Sequence, residues 1–214
     1  MEQNLLLRGK KMTITVAHTK GGVGKSTLAW NLAHSLKEIG KTVTLVDLDF
    51  QQTLHFVNQI RGLNDIEVLQ PTTTSEVLEV LLTSQNKTDY YIVDVGGFDS
   101  DINRTALDCS HKVIIPISDS ITEVLGFKTF EGILDELILG DTEFQVVLNN
   151  IHPLTKNFSI IKEAIGDKYK LLDTVIRTRK VYKTTLGVGS SVFDTNNEVA
   201  KDEIRGIRDE LISD

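Results

Sequence analysis

One cysteine, Cys109, stands in a chain of 214 residues, so neither a disulfide framework nor a cysteine-held cluster can form within one copy. The residue reads as a small buried apolar side chain in a reducing compartment. Also missing is any apolar run near the roughly twenty residues that a membrane-crossing helix needs. The opening M-E-Q-N-L-L-L-R-G-K-K has only three leucines where a signal peptide needs a longer apolar core. A cytoplasmic protein is expected. Basic excess is absent as well: 23 Lys and Arg against 30 Asp and Glu leave a net charge of −7, so any contact with DNA must be local. No linker rich in Pro, Gly or Ser divides the chain, and no internal repeat or low-complexity tract is present. With 40% hydrophobic residues the sequence predicts one domain over residues 12–214. Residues 1–11 read as a flexible leader whose Arg8, Lys10 and Lys11 are solvated.

The stretch T-I-T-V-A-H-T-K-G-G-V-G-K-S-T, residues 13–27, organises the rest. A β-branched run over Thr13 to Val16 predicts a strand, three glycines follow, and apolar residues at helical spacing run from Ser26 to Leu36. Strand, glycine loop and helix in that order make a cradle for a polyphosphate. Gly21, Gly22 and Gly24 leave backbone N–H groups free to point inward, with Val23 between them and the helix start behind. Lys25 supplies a positive charge, and the Ser26 hydroxyl, followed by Thr27, is placed to meet a Mg²⁺ bridging two phosphates. Thr19 stands where the strict G-x-x-x-x-G-K-[ST] pattern has its first glycine. Lys20 is then a second cation in a small loop, and the two repel unless a polyanion lies between them.

Further along, alternation of strand and helix patterns predicts an α/β P-loop fold with a mostly parallel sheet covered by helices on both faces. Strands are expected at 42–49, 66–69, 89–94, 111–116, 144–150 and 171–176. Helices are expected at 54–60, 76–82 with Ser75 as N-cap, 122–139, 158–165, 179–186 and 196–212. Gly40 closes the first helix. Two strands end in acids: V-D-L-D at 46–49 and I-V-D-V-G-G at 92–97. Carboxylates at such ends face the ligand crevice of open α/β sheets. Asp94, with Gly96 and Gly97 behind it, has the Walker B pattern and is assigned to the metal through water. Asp47 is assigned to the metal's outer shell and Asp49 to the attacking water, with helix capping or a solvated turn as the alternative for each.

These motifs resemble the ParA/MinD class of deviant Walker ATPases, over nearly the whole chain after Met12. T-R-K-V-Y-K-T-T-L-G-V-G-S-S-V-F-D at 178–194 is similar to the closing segment of the short, ParF-like plasmid-partition proteins. The chain departs from the family at D-F-Q-Q (49–52) and at I-S-D-S-I-T (117–122). The resemblance implies a homodimer with ATP sandwiched between copies and Lys20 reaching the partner's nucleotide. It also implies weak ATPase activity raised by a centromere-binding ParB-type protein, ATP-dependent binding to non-specific DNA, and nucleoid association. It places Asn149 beside the adenine, with Ile176 and Arg177 on its other side. No N-K-x-D signature follows Asn149, which favours ATP over a guanine nucleotide.

R-T-R-K-V-Y-K at 177–183 carries four basic residues and no acid. Arg179, Lys180 and Lys183 on one side of a short helix would meet DNA phosphates; the alternatives are that Arg177 especially serves the nucleotide pocket, or that the run is solvated. The tail A-K-D-E-I-R-G-I-R-D-E-L-I-S-D has acids throughout and an apolar face of Ile204, Ile207, Leu211 and Ile212. It is expected to dock on its own core rather than on lipid. A membrane-cycling MinD-like regulator, and a nucleotide-dependent scaffold with negligible turnover, remain the competing readings.

Overall fold

Strands that are buried on both sides carry continuous apolar runs instead of alternating ones, and this chain's strands do. A computed structural model describes residues 11–83, 88–97, 99–137 and 140–213. β1 (Met12–Val16), β2 (Val43–Leu48), β3 (Glu67–Leu69), β4 (Tyr90–Val95), β5 (Lys112–Ile117), β6 (Glu143–Ile151) and β7 (Lys170–Arg177) form one sheet in the order β3-β2-β4-β1-β5-β6-β7. Every pairing is parallel. The helices are α1 (Lys25–Glu38), α2 (Thr53–Arg61), α3 (Thr74–Leu78), α4 (Asp101–Asp108), α5 (Ile121–Glu136), α6 (Ser159–Ile165), α7 (Lys180–Leu186) and α8 (Glu198–Ile212). A π-helical turn follows α3 and a 3-10 turn precedes α8.

Two cores result, one on each side of the sheet. On one side Leu28, Trp30 and Leu32 of α1 meet Ile14 of β1, Leu45 of β2 and Ile207 of α8. On the other, Val77, Ala106, Phe127 and Ile161 of α3 to α6 meet Val93 and Ile115 of the sheet. The tail is part of the first core. Ile204, Ile207 and Leu211 of α8 are buried, Arg208 donates to the Ser35 carbonyl at 3.0 Å, and Lys112 donates to the Leu211 carbonyl at 2.8 Å. The apolar face of α8 is thereby used up.

Several expected boundaries shift, each for a local reason. Thr73, not Ser75, caps α3: its Oγ1 accepts from the Glu76 N–H at 3.2 Å, while the Glu76 carboxylate reaches back to the Thr72 N–H at 2.6 Å. Glu76 selects its partner three residues upstream. Arg179 is extended, so α7 starts at Lys180, and Asn197 caps α8 by accepting from the Ala200 N–H. α5 begins at Ile121 and ends at Glu136; residues 138 and 139, expected in it, lie outside the described residues, as do residues 1–10 of the expected leader. Lys11 sits over the Tyr91 ring at 5.9 Å instead of being merely solvated. Cys109 is half-buried beyond the end of α4, and burial pushes its thiol pKa up.

His34 packs edge-on against the buried Trp30, with ring centroids 4.7 Å apart. Burial first, and then the charge of Arg61, lower its pKa from 6.5 to about 4. The unfolded chain therefore binds the proton more tightly. The stability this neutral ring contributes is complete above pH 6.5 and is lost as pH falls toward 4. Urea unfolding at pH 7, 6 and 5 is expected to show a His34→Gln variant losing stability less steeply than the parent, by roughly 1 kcal/mol per pH unit. Identical slopes would mean that His34 titrates normally in the fold.

Candidate functional site

β1 runs out at Val16, and the chain turns through residues 17–24 before α1 begins at Lys25. Gly22 and Gly24 have φ of +81° and +92°, a region that residues with a side chain avoid. A Cβ on Gly24 would also lie 2.5 Å from Asn149 Nδ2. No side-chain hydrogen bond caps α1, and an uncapped helix start is an arrangement that accepts an anion. Three neighbours brace this loop. Asn149 on β6 donates to the Val23 carbonyl at 2.6 Å. Gly97, after β4, lies so close that a Cβ would meet the Thr19 carbonyl at 3.1 Å. His18 accepts the Lys20 N–H on Nδ1 at 2.9 Å.

Inside the loop Lys25 is 6% exposed and donates to the Lys20 carbonyl at 3.1 Å. Burial lowers its pKa, against the pull of Asp94 and Asp49. Asp94 lies at the end of β4, level with Val16 on β1 and Asp47 on β2. It is fully buried, and neither carboxylate oxygen has a well-formed hydrogen-bond partner among the described residues. Burial pushes its pKa up to about 8; the nearby Ser26 hydroxyl and Lys25 oppose the rise, and Asp47 and Asp49 add to it. A buried carboxylate is costly unless it is paired or meets a cation.

Asp94 and the Ser26 hydroxyl are hard oxygen donors with free capacity, a set that fits Mg²⁺. No group of three or more His, Cys, Asp or Glu that could hold a metal occurs among the described residues. The hollow itself has a volume of about 630 Å³ and is lined by Gly22, Lys25, Ser26, Thr27, Asp49 and Gly97 among others.

The two acids ending β2 divide. Asp47 is 3% exposed and does the capping work left open by the sequence: Oδ1 accepts from the Asp49 N–H at 3.2 Å and Oδ2 from the His55 N–H at 3.0 Å, at the start of α2. Asp49 faces the hollow, with one oxygen taking the Gln51 N–H at 2.9 Å. Beside the hollow, across Gly24, a smaller cavity of about 150 Å³ brings together Thr27, Asn149, Ile176, Arg177, Arg179 and Lys183. Arg177 is occupied there, donating to the Thr155 and His152 carbonyls at 2.7 and 3.2 Å.

Two sets of basic residues find partners of their own. Lys20 and Lys25 do not confront each other: the Lys20 ammonium turns to α5, donating to Thr122 Oγ1 at 3.0 Å with the Glu123 carboxylate at 3.9 Å. The Glu123 carboxylate on α5 is thus within ion-pair reach of the Lys20 ammonium. Nor do Arg179, Lys180 and Lys183 share a free helix side. Arg179 precedes α7 and pairs with Glu203 of α8 at 2.7 Å, where Tyr182 also donates to Glu203 at 2.8 Å. A mostly buried glutamate demands that arginine; Lys180 and Lys183 stay exposed. His18 was missed, its only signal being a polar side chain at the end of an apolar strand, two residues before Lys20.

A family profile for the CobQ/CobB/MinD/ParA nucleotide binding domain matches residues 14–192. The chain belongs to that family. Among curated relatives of this ParA/MinD group, the maintenance of carboxysome distribution protein A of Halothiobacillus neapolitanus is 29% identical over 95% of this chain and 97% of its own length. The fold is shared with a putative plasmid partition protein from Borrelia burgdorferi B31 bound to AMPPNP (TM-score 0.75, 23% identity, 94% of this chain and 99% of that one). It is shared also with the MinD cell division protein of Aquifex aeolicus (TM-score 0.76, 17% identity, 95% and 98%). No helix among the described residues is long and apolar enough to cross a membrane.

Because Gly24 is both left-handed and in contact with Asn149, Gly24→Ala is expected to lower nucleotide affinity by at least about tenfold, through strain in the cradle. Fluorescent-nucleotide titration of the folded variant checks this. Unchanged affinity would place the phosphates elsewhere.

Proposed function

We propose that this ParA/MinD-family chain is a Mg²⁺-dependent ATPase that forms a homodimer on binding ATP and so drives partition of DNA with a centromere-binding, ParB-type protein. The observation that carries the reading is the buried carboxylate of Asp94, without a well-formed hydrogen-bond partner among the described residues, near Lys25 and Ser26, which line a hollow open to solvent. A magnesium nucleotide satisfies all three groups at once. The amides of Gly21, Gly22, Val23 and Gly24 hold the phosphates, with Thr27 beside them. Lys25 would neutralise phosphate charge, and Ser26 and Asp94, the latter through water, would hold the metal. The base lies in the side cavity formed by Asn149, Ile176 and Arg177.

Bound Mg²⁺ would neutralise the charge that develops on the phosphate oxygens. Asp49 orients water, whose oxygen bonds to the γ-phosphorus as the bond to the β-phosphate oxygen breaks, giving ADP and phosphate. Asp47 supports from behind, since its two backbone contacts fix the 47–55 turn that carries Asp49. Lys20, on the outer side of the loop, is available to a second copy's nucleotide once it leaves Glu123. For non-specific DNA the exposed Lys180 and Lys183 remain, with Arg179 committed to Glu203.

A second reading concerns the cargo. The relative that matches nearly the whole chain is named for carboxysome distribution, so the same cycle fits the positioning of a protein assembly over nucleoid DNA. The buried apolar face of α8 disfavours a lipid-binding tail built from that helix.

Phosphate release, measured alone and with DNA and partner, tests the enzyme reading. Asp49→Ala is expected to keep ATP-induced dimers while turnover drops at least about tenfold. Lys20→Ala is expected to bind nucleotide yet lose both dimer and turnover; normal dimers by light scattering would remove Lys20 from the interface. Turnover in Asp49→Ala equal to the parent would remove Asp49 from the reaction.

A further inference from the structure

We propose that His18 is the positioning residue for Lys20: its ring holds the lysine's backbone and locks it to α5, so that loop and helix move as one body. This rests on the reading of Lys20 given above. His18 Nδ1 accepts the Lys20 N–H at 2.9 Å, which puts the ring's proton on Nε2. The imidazole is 1% exposed, and burial, followed by the charges of Lys25 and Lys20, keeps it neutral with a pKa near 4. A neutral ring is the form that can accept.

The other face of the ring meets one stripe of α5. A Cβ on Gly126 would lie 3.2 Å from His18 Cε1 and 3.7 Å from Lys20 Cβ, so the backbone of α5 passes directly over both residues. One turn later Phe130 stacks on the ring at 6.0 Å and 19°. One turn earlier Thr122 takes the Lys20 ammonium at 3.0 Å. Thr122, Gly126 and Phe130, spaced by four, form a single ridge, and Lys20 is gripped along it at both ends. Only a ring that fills space on one side and accepts a hydrogen bond on the other does both jobs. Asparagine can accept but cannot fill; phenylalanine can fill but cannot accept.

That difference sets the test. In the full chain with MgATP, His18→Phe is expected to keep KM within about twofold and lower kcat about tenfold, because the Lys20 N–H is left without an acceptor. His18→Asn, which restores an acceptor, is expected to return kcat to within about threefold of the parent. A ring needed only for packing gives the opposite order, with phenylalanine active and asparagine impaired, and that result overturns the proposal. If His18→Phe does not fold, His18→Asn decides alone: kcat within threefold supports the role, and loss to the level of Lys20→Ala in a folded variant refutes it. Amide hydrogen exchange at Lys20 reads the contact without turnover. Protection in parent and His18→Asn but not in His18→Phe supports it even if no phosphate is released, and equal exchange in all three refutes it. Absence of phosphate release from the parent itself would instead count against the ATPase reading.

Discussion

A carboxylate sealed from water, without a well-formed hydrogen bond among the described residues, near a sealed ammonium, is the constraint on which this structure turns. Taking either charge out of water costs several kcal/mol, and their mutual attraction offsets only part of it. The fold bears that cost because Asp94 and Lys25 are fixed by elements that cannot easily move. Asp94 ends β4, next to β1 in the middle of a seven-stranded sheet, and Lys25 opens α1, whose apolar side is buried in the core. The upward shift of Asp94 and the downward shift of Lys25 have the same first cause, burial. A doubly charged cation and a polyanion arriving together would oppose both shifts, which is the physical ground for the function proposed above.

The loop between these two charges is held from three directions. β6 reaches it through Asn149, the loop after β4 through Gly97, and α5 through His18. Each of these three segments lies at the carboxyl ends of the strands, where a parallel sheet with helices on both faces leaves its crevice. The loop thus has contacts with both halves of the sheet, and with α5 through Lys20. The tail contributes from below: α8 packs against α1 and β7 and takes Arg179 out of circulation through Glu203.

Much of this was legible in the sequence. The glycine spacing, the two acid-ended strands and the alternation of periods locate the loop, the crevice and the fold, since these depend on backbone geometry and burial that neighbouring residues dictate. Asn149, Ile176 and Arg177 do meet around one cavity. What could not be read are the choices made between residues far apart in the chain. Arg179 looked free because Glu203, which claims it, lies 24 residues on. The partners of Lys20 in the free chain, Thr122 and Glu123, lie on another element and could not be read from its neighbours. That Asp47 accepts the His55 N–H depends on where α2 begins, which the sequence around Asp47 does not show. His18 offered no pattern, since its role depends on a glycine in α5 that leaves room for its ring.

Calorimetric titration of ATP, with and without Mg²⁺, into the parent chain and Asp94→Asn tests the central point most directly. The parent is expected to bind one nucleotide per chain with affinity raised by the metal, and the asparagine variant to bind ATP with that gain largely abolished. Metal-independent binding by the parent, or an equal metal effect in both proteins, would contradict the account.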